Sequence, residues 1–342
     1  MKSYGELREL ASAWRSLEDD PGQRAALVTI VRTTGSTFRR VGAAMLVRSD
    51  ASVVNPLAGG CPQRAIVDRS LEVMASGRLA YVGFSAEEGM DVLLDAGCGG
   101  ELEVVIEPLP TELPPFVAAL DGHLAAGEAI RIVTCFPAAG EARAADRSIS
   151  AWTTTDADAT AHDHAASESW AGGMRLVETF DSPITLVIAG ACHEARELAG
   201  LAAGVGWHGV IVDTAPERLD RMGHGFPLGW QGIVAQPAQV AALRRVHGST
   251  ALVSMTHNLD LDVAFLRAGA ACGAFYLGAL GSQMRARAIA DAVPSPALHV
   301  PAGLDIGSNT SCEIALSIVA EIMATRHQRD GRRLSESGSP IH

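Results

Sequence analysis

The sequence predicts an α/β protein, with a small amino-terminal α/β domain followed by a Rossmann-like, doubly wound parallel-sheet domain. Three observations carry this. The chain has 342 residues, 48% of them hydrophobic and 19% charged, which suffices for the cores of about two domains. From residue 181 onward, short Val/Ile/Leu runs alternate with helical stretches, the rhythm of a parallel sheet covered on both faces. Between residues 24 and 109, strands outnumber helices, and two loops that each set a cysteine among glycines interrupt them.

The chain opens on "MKSYGELRELASAWRSLEDD", charged throughout and amphipathic as a helix, without the apolar core of a signal peptide. "RAALVTIVRT" and "AAMLVR" read as strands. "PQRAIVDRSLEVMASGR" reads as a helix, with Ile66, Val67, Val73 and Met74 at helical spacing, Pro62 in its first turn and Gly77 at its end. "LAYVGF" and "LEVVIEPL" are further strands, and the first domain is placed at 1–110. Residues 111–180 read as a connecting region with a helix-like stretch, one strand, "IRIVTCF", and an exposed polar loop, "TTTDADATAHDHAASES". His162 and His164 in that loop are read as solvated rather than metal-binding.

The second domain is placed at 181–330. "ITLVIAG" is its first strand, followed by a helix over 192–203, a strand in "GVIVDTAPER", the strand "ALVSM", a helix over 258–271 and the strand in "AFYLGALGS". The last strong helix starts at "TSCEIALSIVAEIMA", where Thr310 and Glu313 form a capping box and Ile314, Ile318 and Ile322 make one apolar stripe. Residues 331–342 read as a flexible tail.

Composition narrows the function. A net charge of −12 argues against nucleic acid or an anionic membrane as partner. The longest apolar run, "ITLVIAGAC", is far shorter than the roughly 20 residues of a membrane span, so a soluble, cytoplasmic protein is expected. The six cysteines, Cys61, Cys98, Cys135, Cys192, Cys272 and Cys312, contain no C-x-x-C pair, which argues against a disulfide framework and a structural zinc site. Cys135 and Cys272 read as small buried hydrophobes.

Four loops of the second half invite ligands. "VIAGACHEARELA" sits where a Rossmann glycine loop belongs, offering Gly190 and His193, and Asp213 ends the next strand about 20 residues later, where an acidic residue would bind a ribose. Cys192 takes the place of the second glycine of G-x-G-x-x-G and Ala195 that of the third, so dinucleotide binding, NAD(P) or another nucleotide, is a weakened expectation. "MTHNLDLD" offers His257, Asp260 and Asp262 for metal or acid/base work, or else Asn258 or Asp260 caps the following helix. "GALGSQMRARA" sets Gly281 and Ser282 at a helix start beside Arg285 and Arg287, competent for a phosphate or simply a cap with a solvated basic face. "GLDIGSNT" is a further loop able to close the same crevice.

In the first half, Gly35, Ser36 and Thr37 stand beside Arg39 and Arg40, a group suited to an anion or to an ordinary turn. Cys61 follows Gly59 and Gly60 and precedes a helix, whose N-terminus favours the thiolate that acts as nucleophile or metal ligand. Cys98, with Gly99 and Gly100, lies in a comparable loop. Two thiols in two glycine loops of one domain point to function rather than packing.

Together these stretches resemble the XdhC/CoxI family of molybdenum-hydroxylase maturation factors. "GSTFRRVGAAMLV", "GGCPQRAIVDRS" and "GCGGELEVVIEPL" resemble its amino-terminal blocks, and "MTHNLDLDVAFLRAGAACGAFYLGALGS" and "GLDIGSNTSCEIALSIVAEIMA" its carboxyl-terminal ones, collinearly over roughly 20–325. The resemblance implies a protein that binds the molybdenum–pterin cofactor, protects its sulfurated form and helps insert it into a xanthine or carbon monoxide dehydrogenase-type enzyme, with a cysteine desulfurase supplying sulfur. A homo-oligomer is the expected assembly. On this reading Cys61 and Cys98 contact or guard the metal, and backbone donors near Gly35, Gly59 and Gly99 hold the pterin or phosphate. The chain departs from the family at Pro62 and Gln63, where an aliphatic residue and glutamate are usual. It departs again at Thr37 and Phe38 of the Gly-Ser-Ser-Pro turn, at Ala44 in place of lysine, and at Cys192 in place of glycine. Two competing functions are an NAD(P)-dependent oxidoreductase with His257 as acid/base, and a sulfurtransferase with a persulfide on Cys61 or Cys98.

Overall fold

The amphipathic start of the chain forms α1 (Tyr4–Arg15), whose Leu7, Leu10, Ala11 and Trp14 lie on one buried stripe at the spacing a helix face requires. The structure, a computed structural model, describes residues 4–20, 22–35, 37, 39–57, 60–84, 101–110, 112–141, 145–152, 165–170, 172–223, 225–227, 230–242 and 249–336. It divides into two compact units, Met1–Ser182 and Pro183–His342.

In the first unit, β1 (Ala25–Thr34), β2 (Ala44–Arg48), β3 (Val53–Val54), β4 (Ala80–Phe84) and β5 (Glu101–Pro108) form a sheet in the order β3-β2-β1-β5-β4, with every neighbouring pair antiparallel. β1 is central and covered on both faces, which is why "AALVTIV" is apolar without alternation. Ile66, Val73 and Met74 of α2 (Gly60–Ser76) pack on one face, against Val28, Ile30, Met45 and Ile106. Leu10 and Trp14 of α1 pack on the other, against Leu27 and Leu46. Gly77, at φ 66, ends α2 as expected.

Residues 111–180 carry more structure than the helix and single strand read from the sequence. After α3 (Pro115–Ala126) come β6 (Ile130–Pro137), β7 (Asp146–Ala151), β8 (Ala165–Trp170) and β9 (Gly173–Phe180), an antiparallel sheet in the order β7-β6-β9-β8. Ile130, Ile132 and Phe180 meet Leu7, Leu120 and Leu124 beneath it. Of the run read as an exposed polar loop, residues 153–164 lie outside the described residues, and 165–169 belong to β8. An edge strand turned largely to solvent needs few apolar side chains, so its polar composition resembles a loop.

The second unit alternates strand and helix except between β12 and β13, which a 3-10 turn at Pro237–Ala242 separates: β10 (Thr185–Ala189), α4 (His193–Gly204), β11 (His208–Asp213), α5 (Pro216–Met222), β12 (Trp230–Val234), β13 (Thr250–Ser254), α6 (Leu259–Ala271), β14 (Tyr276–Ala279), α7 (Gln283–Ala292), β15 (Leu298–His299) and α8 (Ser311–Arg326). All six strands are parallel, in the order β12-β11-β10-β13-β14-β15. Successive β10 side chains serve opposite faces. Leu186 and Ile188 pack against Leu198, Ala202, Ile318 and Ile322 of α4 and α8, while Val187 and Ala189 pack in the core that holds Phe265 and Leu266 of α6 and Ile289 of α7. This is the doubly wound, Rossmann-like sheet the sequence predicts. The capping box is present as well: Thr310 accepts from the Glu313 N–H, and the Glu313 carboxylate accepts from the Thr310 N–H. No helix among the described residues is long and apolar enough to cross a membrane.

α8 also carries a half-buried carboxylate, Glu321. It accepts from the Tyr276 hydroxyl at 2.5 Å and the Gly303 N–H at 2.7 Å, with His299 Nδ1 at 3.3 Å. Burial acts to raise its pKa, but the hydrogen bonds from His299, Tyr276 and Gly303 outweigh burial and hold it below the ordinary carboxylate value. A pKa depressed by folding contributes stability above the unfolded value of about 4.3, and that contribution is lost as pH falls through the depressed value. Glu321→Gln is therefore expected to flatten the acid limb of the stability–pH curve, read by urea unfolding from pH 7 to 3. A limb as steep as in the parent would remove Glu321 from that role.

Candidate functional site

The order of the second sheet reverses between β10 and β13, so the loops that follow these strands part to opposite faces and leave a crevice at the carboxyl edge. Gly190 follows β10 directly at φ 109, and a Cβ there would stand 2.6 Å from the Met255 carbonyl oxygen and 2.8 Å from its carbon. Only glycine permits so close a backbone approach. The two loops are knit by the Met255 N–H donating to the Ala189 carbonyl at 2.8 Å, and the Gly190 N–H donates to Val212 at 2.7 Å.

Cys192 follows as the N-cap of α4, its backbone extended. It is half-buried, and its Sγ lies 3.7 Å from the Met255 carbonyl oxygen. Burial pushes its thiol up to about 11, against a smaller lowering by the Ala195 N–H. Glu194, in the first turn of α4, is held below the ordinary carboxylate value, chiefly by its own backbone N–H and then by the Cys192 thiol. Across the crevice, His257 is exposed and adopts φ 59, a left-handed conformation rare for a residue with a side chain. Sulfur, carboxylate and imidazole ligand atoms of these three residues lie within 4.8 Å of one another. The sequence points to His257 but not to Glu194, and treats Cys192 only as a missing glycine. The missing signal is tertiary, because the loops meet only once β10 and β13 pair.

The remaining candidates of this half line the same edge, several of them already engaged. Asp213, only 2% exposed, accepts from the Ala191 N–H at 2.8 Å through one oxygen and the Ala215 N–H at 2.9 Å through the other, with Arg218 3.5 Å away. It thus holds the glycine loop from within, almost wholly buried beneath it. His193 opens α4, exposed, with Glu197 4.0 Å away. Gly281, at φ 156, precedes Ser282, which caps α7 by accepting from the Arg285 N–H. Asn258 caps α6 through the Leu261 N–H. Asp262, fully buried, accepts from the Ser254 and Thr256 hydroxyls, each at 2.7 Å, and from Arg285, joining β13, α6 and α7. Asp213, Asp262, Asn258 and Ser282 thus build the edge, while His193 stands out from it.

In the first unit, Gly35 leaves the end of β1 at φ 71, and Arg39 forms an ion pair with Glu6 of α1 at 2.5 Å. Arg40 is exposed. Gly60 is the first residue of α2, with Cys61 in its first turn, the helix-terminal placement expected. Ser36, Gly59, Cys98, Gly99 and Gly100 lie outside the described residues, so the pairing of the two glycine–cysteine loops does too.

Residues 19–84 match the family model described as "XdhC and CoxI family", and residues 186–322 match the "XdhC Rossmann domain". The chain belongs to the XdhC and CoxI family. It is 26% identical to a Bacillus subtilis protein named as a probable xanthine dehydrogenase subunit, over 91% of this chain and 95% of that one. It is 24% identical to the Escherichia coli "Molybdenum cofactor insertion chaperone PaoD", over 92% of this chain and 88% of that protein. A crystal structure from Bacillus halodurans, described as a xanthine dehydrogenase, shares the fold with a TM-score of 0.74 at 23% identity, covering 96% of this chain and 98% of its own. The XdhC likeness thus reaches both units, including the switch-point crevice.

Proposed function

We propose that this chain is a maturation factor that binds the molybdenum–pterin cofactor, protects its sulfurated form and assists its insertion into a molybdenum hydroxylase of the xanthine or carbon monoxide dehydrogenase type. The observation that carries this reading is its nearly full-length likeness to a relative named as a molybdenum cofactor insertion chaperone. The cofactor is cargo here, taken up and handed on. A cysteine desulfurase is the proposed sulfur source, the cytoplasm the proposed compartment, and a homo-oligomer the proposed assembly.

The residues divide the work by chemistry. Thiolate is a soft ligand suited to a metal–sulfur centre, and we assign Cys61 and Cys98 to that end of the cargo. Backbone N–H groups near Gly35, Gly59 and Gly99 are assigned to the pterin or its phosphate, where a net charge of −12 requires attraction to be local. The burial of Asp213 beneath the loop, with Cys192 and Ala195 in place of two fingerprint glycines, favours this reading over a dinucleotide oxidoreductase, whose ribose would look for an accessible carboxylate.

The test is equilibrium binding of molybdenum cofactor to anaerobically purified protein, with NAD and NADP in parallel. Tight cofactor binding is expected, with Cys61→Ala and Cys98→Ala keeping the parent's unfolding transition but losing cofactor retention. Undiminished retention in both variants would remove the thiols from the site. Dinucleotide binding with no affinity for the pterin would overturn the reading as a whole.

A further inference from the structure

We infer that the chain carries a divalent-metal site at the switch point, in which Cys192 Sγ, a Glu194 carboxylate oxygen and a His257 ring nitrogen bind a zinc-class cation. Among the described residues these side chains bring three ligand atoms within 4.8 Å of one another. Around a tetrahedral zinc with bonds of about 2.0–2.3 Å, neighbouring ligand atoms stand roughly 3.3–3.7 Å apart. Closing the remaining gap takes side-chain rotation, since the backbone on both sides is already fixed. Cys192 and Glu194 flank the start of α4, which shares a core with β10 through Leu198 and Ala202 beside Leu186 and Ile188. His257 follows a strand paired with β10 residue for residue from Thr185↔Thr250 to Ala189↔Ser254, and its backbone is set at φ 59.

The donor set decides the class of ion. One thiolate, one imidazole and one carboxylate suit zinc and its neighbours rather than the all-oxygen shells of magnesium or calcium. Three protein ligands leave a fourth position for water or a ligand atom, the pattern of a working zinc rather than a structural one. The position also fits, since ligands of open α/β sheets bind at this switch point. Binding is an exchange without redox change: the Cys192 S–H bond breaks, a sulfur–metal bond forms, and the proton leaves to solvent. The site uses neither Cys61 nor Cys98 and stands or falls independently of the cofactor reading.

The experiment uses the full chain, stripped with a chelator, dialysed and titrated with Co²⁺ as the spectroscopic stand-in for Zn²⁺, followed by Zn²⁺ displacement. One equivalent is expected to bind with a sulfur-to-cobalt charge-transfer band in the near ultraviolet. That band should persist in Cys61→Ala and Cys98→Ala and vanish in Cys192→Ala. Because Cys192 is half-buried, His257→Asn serves as the second variant, as asparagine tolerates positive φ and the position is exposed. Its Zn²⁺ affinity should fall by at least the roughly 10–100-fold that losing a mere outer-shell partner costs. No binding, a thiolate band retained in Cys192→Ala, or parental affinity in His257→Asn would each overturn the site.

Discussion

Replacing Arg147 with alanine is expected to cost the first unit about 3–5 kcal/mol, the range for stripping one partner from a buried ion pair. Glu107 of β5 is 1% exposed and Arg147 of β7 9%, so neither charge is shared with bulk water. The guanidinium meets both carboxylate oxygens, and the Ala145 N–H adds a third bond at 3.1 Å. Above it, the Arg147 guanidinium lies 5.7 Å from the Trp14 ring centroid and 6.0 Å from that of Phe136. Arg147→Ala leaves a buried carboxylate with one N–H donor, removes the cation from two aromatic faces and opens a void. Against a typical total of about 5–15 kcal/mol, that is a large fraction. Urea unfolding followed by tryptophan fluorescence reads the loss. The pairing argument makes a second demand: Glu107→Leu combined with Arg147→Met should restore most of what the single change removes, because an apolar pair of similar volume is often neutral or better. A single variant losing under about 1 kcal/mol, the ceiling typical of surface pairs, would show the site to be wet.

Gly190→Ala is the second large effect, and its sign contrasts with that of a glycine ten residues along. At Gly190 the added Cβ meets Met255 and Thr256 backbone atoms at 2.6–2.9 Å with φ at 109, so neither rotation nor side-chain movement relieves it. Strain of about 1–3 kcal/mol from the backbone conformation is joined by about 1–3 kcal/mol of overpacking. Gly200, inside α4, has nothing within 4 Å of the same construction, and alanine there is expected to stabilise by about 0.5–1 kcal/mol. Unfolding curves of the two variants in one background make the comparison. Equal and small shifts would mean that the strand ends separate more readily than their hydrogen bonds suggest. Gly190→Ala should also move the Cys192–Glu194 turn away from His257.

How much of this the sequence disclosed depends on the range of the interactions involved. The capping box at Thr310 and Glu313, the α2 stop at Gly77 and the strand–helix rhythm after residue 181 are local, and each is written in neighbouring residues. β7 and β8 are not, because an edge strand with one polar face resembles a loop until its partner is known. β12 escaped for a like reason, as "WQGIV" buries only its tryptophan at the sheet's rim. The glycine loop after β10 was legible as a place, but its chemistry was not. That Asp213 turns inward to Ala191 and Ala215, and that Cys192 and Glu194 face His257, follow from loops brought together by pairing distant strands.

The order of the second sheet also bears on how this unit comes into being. β10 is made first yet sits in the middle, and its partner on one side, β13, pairs Thr185 with Thr250. Chain closure over such a separation is slow, and a growing polypeptide holds a Val- and Ile-rich strand with an open edge until β13 has left the ribosome. During that interval the edge is a template for mispairing with other nascent chains.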